Sequence, residues 1–455
     1  MLTSENEIIK QERIPALSEN ALLRYLTFAA LYFAQGIPQG LLWYALPAWM
    51  AMNGKTPAEI GSFIAVIGLP WSFKIIVAPF MDRFTFLPMG RRKPWMLFGQ
   101  AGLVASFVAF AVVKDPLNHL PTLMFIGFMS SLASIFQDIS VDSLAIDILP
   151  VSQQARANGL MWGSKIIGTS ATVAVTSWLI NHYGYFMSMI LFSFVVLGIM
   201  LFPLLLKERP GEKRLPWSAG RASPFASKIQ LHSWKVIFKS LFRVFILPVS
   251  LTMGVAAFSQ NVGRGLVDAI LPVFTVQKLG WTDAYYSQIF ATTTLVGGIL
   301  GMFVAGAMID IFGKIRMMVF YAIALIILLL TMSLLTHYWT NEVFIISFFV
   351  AFYSLNAFMT IASFAIAMQL CWKRIAATQF TLYMAISNIG LSVGPYLMGI
   401  MKTHFNWQYV FMIYLVFMAV VLLMMRYMNF EKHQKQVEKL ENKYLENQEN
   451  ALLEK

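Results

Sequence analysis

Ionisable side chains recur inside segments that are otherwise almost wholly apolar. Lys74, Asp138, Asp142 and Lys165 lie in the first half of the chain, and Arg264 and Asp268 in the second. A carboxyl group taken out of water holds its proton more tightly, and a nearby ammonium reverses that tendency. Such a set can take up and release protons, with Asp138 the preferred site because it falls nearest the middle of the bilayer. It can equally be a static group of ion pairs, since two cations and two anions would neutralise one another. Arg264 and Asp268 carry the same two readings. An arginine can also offer two parallel N–H groups to a solute carboxylate.

Rows of uncharged polar residues accompany these charges. Tyr32, Gln35, Gln39 and Trp43 form one row, and Ser130, Ser134 and Gln137 lead into Asp138 and Asp142. Gln260, Arg264 and Asp268 follow each other at intervals of four, with Asn261 beside them. Tyr353, Asn356, Thr360 and Ser363 form the last row. Spacings of three or four put each row on one helix face. Such rows either glue helices together or line a path for solute. They fall on apolar segments one, four, seven and ten, the first helices of four three-span units, which favours the lined path.

The elements that carry these residues must be membrane helices. The chain of 455 residues is 58% hydrophobic and 12% charged, whereas soluble domains carry about 25% charged residues. A span needs roughly 20 apolar residues. Twelve windows qualify, near 24–52, 58–80, 95–113, 120–146, 158–181, 185–206, 242–276, 283–308, 317–336, 341–370, 377–401 and 407–428. The expected fold is therefore an all-α integral membrane protein of about twelve transmembrane helices. Of the 34 Lys and Arg, 27 fall at the termini and on the even-numbered loops. That asymmetry predicts both termini on the cytoplasmic side. It reads the net charge of +12 as topology and contact with lipid headgroups, without a nucleic-acid partner. The polar first residues and the long first apolar segment predict a retained span in place of a cleaved leader.

Two loops repeat half a chain apart. The first reads Asp82-Arg83, then Gly90-Arg91-Arg92-Lys93, and the second reads Gly306, Asp310, Gly313-Lys314 and Arg316. Their position between spans two and three and between spans eight and nine predicts a gating role and two six-helix bundles related by a parallel repeat. Asp82, with more cations near it, is expected to matter more than Asp310. The predicted organisation is a cytoplasmic segment 1–23, a bundle 24–206, a cytoplasmic linker 207–241, a bundle 242–428 and a charged cytoplasmic tail 429–455. The tail reads as a solvated helix, and 228–242 as a helix on the membrane surface. Pro38, Pro47 and Pro272 should bend their spans. Cys371, the sole cysteine, reads as a buried filler. No phosphate-binding loop, metal-ligand spacing or catalytic constellation is present, so no enzyme, cofactor or metal is expected.

The run Gly36-Ile37-Pro38, Gly68-Leu69-Pro70, Lys74, Ala78-Pro79, Asp82-Arg83 and Gly90-Arg91-Arg92 resembles AmpG-type muropeptide permeases. So do Gln137-Asp138-Ile139 with Val141-Asp142, and Ala377-Thr378-Gln379-Phe380-Thr381-Leu382. That group and the acetyl-CoA transporters form one branch of the major facilitator superfamily, and siderophore-importing permeases have a similar pattern. The resemblance implies a monomeric secondary transporter in a bacterial inner membrane. It would import a bulky polar solute, muropeptide-like or siderophore-like, with protons and by alternating access. Two other readings stay open: a sensor or assembly protein that does not transport, and an acetyl-CoA-type carrier.

Overall fold

The computed structural model describes residues 15–55, 57–231, 233–281 and 283–453, so most of the expected N-terminal segment lies outside the described residues. Among the described residues there is no β-strand. Twelve long helices follow the apolar windows: α1 (21–52), α2 (57–83), α3 (Lys93–Val112), α4 (Leu120–Ile148), α5 (154–183), α6 (184–205), α7 (Pro248–Gln277), α8 (283–312), α9 (Lys314–Leu334), α10 (Glu342–Leu370), α11 (Ala376–His404) and α12 (Trp407–Arg426). Nine described helices are long and apolar enough to cross a membrane, or ten when α7 is joined to the helix before it. The shortfall is in α1 and in most of α5, which pack against each other and carry polar residues on the shared side.

The chain divides into two compact units, Met1–Ser233 and Trp234–Lys455. Lipid gives no hydrophobic drive between helices, so small residues that admit close backbone contact decide which helices pair. A β-carbon at Gly168 would lie 2.4 Å from the Phe33 carbonyl oxygen, and one at Gly36 would lie 2.5 Å from the Lys165 carbonyl oxygen. The second unit repeats that joint between α7 and α11. There, a β-carbon at Gly390 would meet the Phe258 carbonyl at 2.5 Å, and one at Gly394 the Val262 carbonyl at 2.4 Å. Contacts of α2 with α4, α3 with α4 and α3 with α6 recur as α8 with α10, α9 with α10 and α9 with α12. The two units are a parallel repeat.

Local breaks follow from the sequence. The α-helical ladder of α1 opens into a π-helical stretch at Leu41–Ala45, between Pro38 and Pro47. A similar stretch, Gly301–Ala305, interrupts α8. In α2 the ladder breaks at Phe73, whose N–H turns back to the Pro70 carbonyl at 2.9 Å. Gly184, at φ +77°, separates α5 from α6. The first core gathers Ile67 of α2, Leu103 and Phe107 of α3, and Met189 and Phe192 of α6 around Leu41 and Leu42. The second sets Phe274 edge-on to Trp339, Trp407 and Phe411, with ring centres 4.8, 5.5 and 5.4 Å away.

The segment after α6 is bound to its own unit. Lys213 N–H donates to the Pro88 carbonyl at 2.7 Å, and the Gln230 amide donates to the carbonyls of Asp82 (2.9 Å) and Arg83 (2.8 Å). Helix Trp234–Phe245 then meets α7 at 80°. It buries Ile237 and Val244 while exposing Phe238 and Phe242.

The tail departs from the expected solvated helix. Phe430–Leu453 is helical and docks on the turn between α10 and α11. Arg374 grips the Glu441 carboxylate with Nε at 2.7 Å and Nη2 at 2.6 Å, and its guanidinium lies over the Tyr444 ring. The Trp372 indole donates to the same carboxylate at 2.9 Å, and the buried His433 ring meets the Leu370 carbonyl at 2.8 Å. Cys371 is buried, with its thiol 3.2 Å from the Ala367 carbonyl.

The glycine joint gives a direct test. Gly168→Val should destabilise the protein by ~1–3 kcal/mol through overpacking, read as a lower apparent melting temperature in detergent. Gly198, which has nothing within 4 Å of its added β-carbon, should accept alanine with no loss.

Candidate functional site

The first unit brings four helices to one polar group. Lys74 of α2 pairs with Asp138 Oδ2 on α4, and Gln35 of α1 donates to Asp138 Oδ1 at 2.6 Å. Tyr32, one turn before Gln35, donates to Asp142 Oδ1. Gln137, next to Asp138, also reaches α1 and donates to the Leu31 carbonyl at 2.7 Å. The break at Phe73 makes Lys74 the first residue of a fresh helical stretch. The charges do not match up one to one as the residue types suggested. Lys165 of α5 has no carboxylate within 4.0 Å and lies over the rings of Trp162 (5.1 Å) and Trp71 (5.8 Å).

Three buried acceptors in this group have no donor: Gln35 Oε1, Gln137 Oε1 and Asp142 Oδ2. An unmet buried acceptor costs about 1–3 kcal/mol, so these three oxygens are unfavourable as they stand and have room for a donor. Gln39 and Trp43 continue the α1 row and are half-buried. Trp43 sits on the π-helical stretch and against Gly68 of α2. Ser134 turns back to its own helix, donating to the Ser130 carbonyl at 2.9 Å.

The second unit carries fewer charges. Arg264 Nε lies 3.4 Å from Asp268 Oδ2, and both side chains are about one-third exposed. Tyr353 of α10 stands beside Asp268, and Gln260 Oε1 is buried without a donor. Asn261, Asn356 and Thr360 donate to carbonyls four residues back, at 2.9, 2.9 and 2.8 Å.

The two repeated loops differ in depth. In the first, Asp82, Arg91 and Arg92 are fully buried. Arg92 Nη2 and Arg91 Nη2 reach Asp82 Oδ1 at 2.8 and 3.3 Å. The same two arginines meet Asp147 Oδ2, at the end of α4, at 3.2 and 3.5 Å. Glu208 accepts the backbone N–H groups of Arg91 (3.0 Å), Arg92 (2.6 Å) and Lys93 (2.5 Å), capping the positive start of α3. Gly90 makes room for it: its φ is +104°, and a β-carbon there would lie 2.5 Å from the Glu208 carboxyl carbon. Lys93 in turn donates to the Leu204 and Leu206 carbonyls at 3.1 and 2.6 Å. Arg83, half-buried next to this group, lies over the Phe84 ring.

In the second loop Gly313 keeps a positive φ of +92° but has nothing near it. Lys314 donates to Gln369 Oε1 at 2.9 Å, Ile311 is exposed, and Asp310 and Arg316 are half-buried or exposed. Asp147, Glu208, Trp71 and Trp162 were missed by the motif reading. Glu208 had a signal in its position a few residues past the end of a span, where an acid can cap a neighbouring helix.

Glu212 is buried beside this group, and its Oε1 has no partner. Burial, then the charge of Glu208, raises its carboxyl from 4.5 to about 8. Burial also raises Glu208, against the pull of its three N–H donors. A carboxyl raised in the folded state keeps a proton that the unfolded chain releases, so stability falls as pH climbs from about 4.5 to about 8. Apparent melting temperature should decline over that window in the wild type. The decline should be shallower in Glu212→Gln, which keeps an acceptor for the Arg209 N–H at 3.0 Å.

The Major Facilitator Superfamily sequence model matches residues 28–390 and, in a second match, 255–447. The anhydromuropeptide permease of Escherichia coli K12 is 25% identical over 378 residues, covering 80% of this chain and 72% of its own. AmpG 3 of Rickettsia prowazekii is 23% identical over 402 residues, covering 83% and 89%. Among solved structures, the transporter FucP gives a TM-score of 0.67 at 15% identity, covering 89% of this chain and 98% of its own. A bacterial homologue of the iron transporter ferroportin gives 0.64 at 10% identity, covering 91% and 100%. Those two likenesses show the fold alone. Together with the recurring contacts of the two units, the sequence matches place this chain in the Major Facilitator Superfamily, among its AmpG-like transporters.

Proposed function

We propose that this protein imports a bulky, polar, muropeptide-like solute with protons, by alternating access, across a bacterial inner membrane. Both termini face the cytoplasm, and the monomer is the working unit. The observation that carries the reading is the joint of Lys74 with Asp138 beside Tyr32 with Asp142. A proton arriving on Asp138 cancels its hold on Lys74. Because that pair ties α2 to α4, protonation is converted into freedom between helices. The polar rows then supply hydrogen-bonding groups for a solute, and the relatives named for muropeptide transport supply its class.

Asp138→Asn tests this in proteoliposomes. The variant should lose uptake driven by an imposed pH gradient and keep counterflow exchange of labelled muropeptide. Gradient-driven accumulation at the wild-type level would refute proton coupling at Asp138.

The gating loops give a second test. Asp82→Asn leaves two buried arginines short of a counter-charge and should cost ~3 kcal/mol or more. Asp310→Asn, where one lysine stands in place of two buried arginines, should cost less than Asp82→Asn. Thermal unfolding and initial uptake rates of both variants check the order, and equal or reversed effects would count against it.

A further inference from the structure

We propose that Lys165, walled by Trp71 and Trp162, is the anchor for a carboxylate on the transported solute. The inference rests on the transporter reading above and names the chemistry of one subsite within it. Four charges share this part of the first unit, and the hydrogen bonds use them unequally. Asp138 has both oxygens engaged, by Gln35 and by Lys74. Asp142 is engaged at Oδ1 by Tyr32. Lys165 is half-buried, donates no hydrogen bond and reaches no carboxylate within 4.0 Å, although Asp138 and Asp142 are near enough to act on it through space.

Its neighbours are indole faces, with Nζ 5.1 Å from the Trp162 centre and 5.8 Å from that of Trp71. The Lys74 ammonium also sits 5.9 Å from the Trp71 centre, so a second cation faces the same ring. Indole faces attract a cation by only about 0.5–2 kcal/mol and accept no strong N–H hydrogen bond. An ammonium with three donors unspent inside a bilayer is costly to hold. A carboxylate is the partner that suits it, through a short charge-assisted hydrogen bond. The flat indole walls suit the apolar face of a ring next to that carboxylate. Trp162 is in edge contact with Tyr32, ring centres 6.5 Å apart, so an anchored solute sits beside the residue that holds Asp142. The expected cargo is an acid whose charged group adjoins a ring, such as a sugar–peptide acid.

The test uses purified full-length protein and a matched pair of probes, a muramyl dipeptide with free carboxylate and its neutral ester. The wild type should bind the acid ~10-fold more tightly than the ester, a difference of about 1.4 kcal/mol. Lys165→Gln should remove that preference by weakening the acid alone, and Lys165→Arg should keep it. Equal affinity of the wild type for acid and ester, or equal weakening of both by Lys165→Gln, would overturn the proposal.

If the wild type neither binds nor carries the sugar–peptide acid, the muropeptide reading falls, and a second measurement decides the anchor by itself. Iodide, an anionic quencher, should quench the Trp162 emission several-fold less in Lys165→Gln than in the wild type. That emission is the part of the signal absent from Trp162→Phe. Quenching by neutral acrylamide should be unchanged. Iodide quenching that does not respond to Lys165→Gln would rule out the anion site.

Discussion

An ionised side chain withdrawn from water needs its counter-charge close by, and that constraint arranges the first unit. Asp82 and Asp147 lie at the ends of different helices, and two arginines from one loop meet both. The start of α3 cannot face apolar surroundings with bare N–H groups, so Glu208 comes from beyond α6 to accept them. Once those partners are fixed, the ends of α2, α3, α4 and α6 are fixed with them. The deeper group around Asp138 obeys the same rule less fully: Asp142 is met by a tyrosine hydroxyl in place of a cation, and Lys165 has no carboxylate within ion-pair distance.

The second unit solves the same folding problem with little charge. Lys314 meets the neutral Gln369 near the end of α10, where the first unit has two arginines and Asp147 near the end of α4. Gly313 keeps the left-handed turn of Gly90 with no carboxylate to shelter. Rings do more of the packing, as around Phe274. The units share helix pairing and differ in electrostatics. Buried charges therefore concentrate in one half, while Arg264 and Asp268 remain partly open in the other.

The spans and the repeat were legible because lipid demands long apolar stretches, and because glycine, aspartate and basic residues recur at matching places. The helix rows were legible from their spacing. The partners were harder to read. Lys74 with Asp138 and Arg374 with Glu441 join residues 64 and 67 positions apart, and spacing says nothing about approach over such distances. The tail departs from its expected state for that reason: its composition is that of a solvated helix, while His433, Glu441 and Tyr444 bind it to the turn. The segment after α6 looked like a tether because it is rich in Pro and Gly, yet its amides and carbonyls bond back to the first unit. The π-helical stretches left no mark beyond the prolines near one of them.

The docked tail also sets an order of events at the ribosome. Arg374 is made 67 residues before Glu441, an interval of about 3–13 s at ordinary rates of synthesis of 5–20 residues per second. All twelve spans are made before that carboxylate emerges. The turn between α10 and α11 thus receives its last ion pair only after the membrane part is complete, and tail docking marks the finished translation of the bundle.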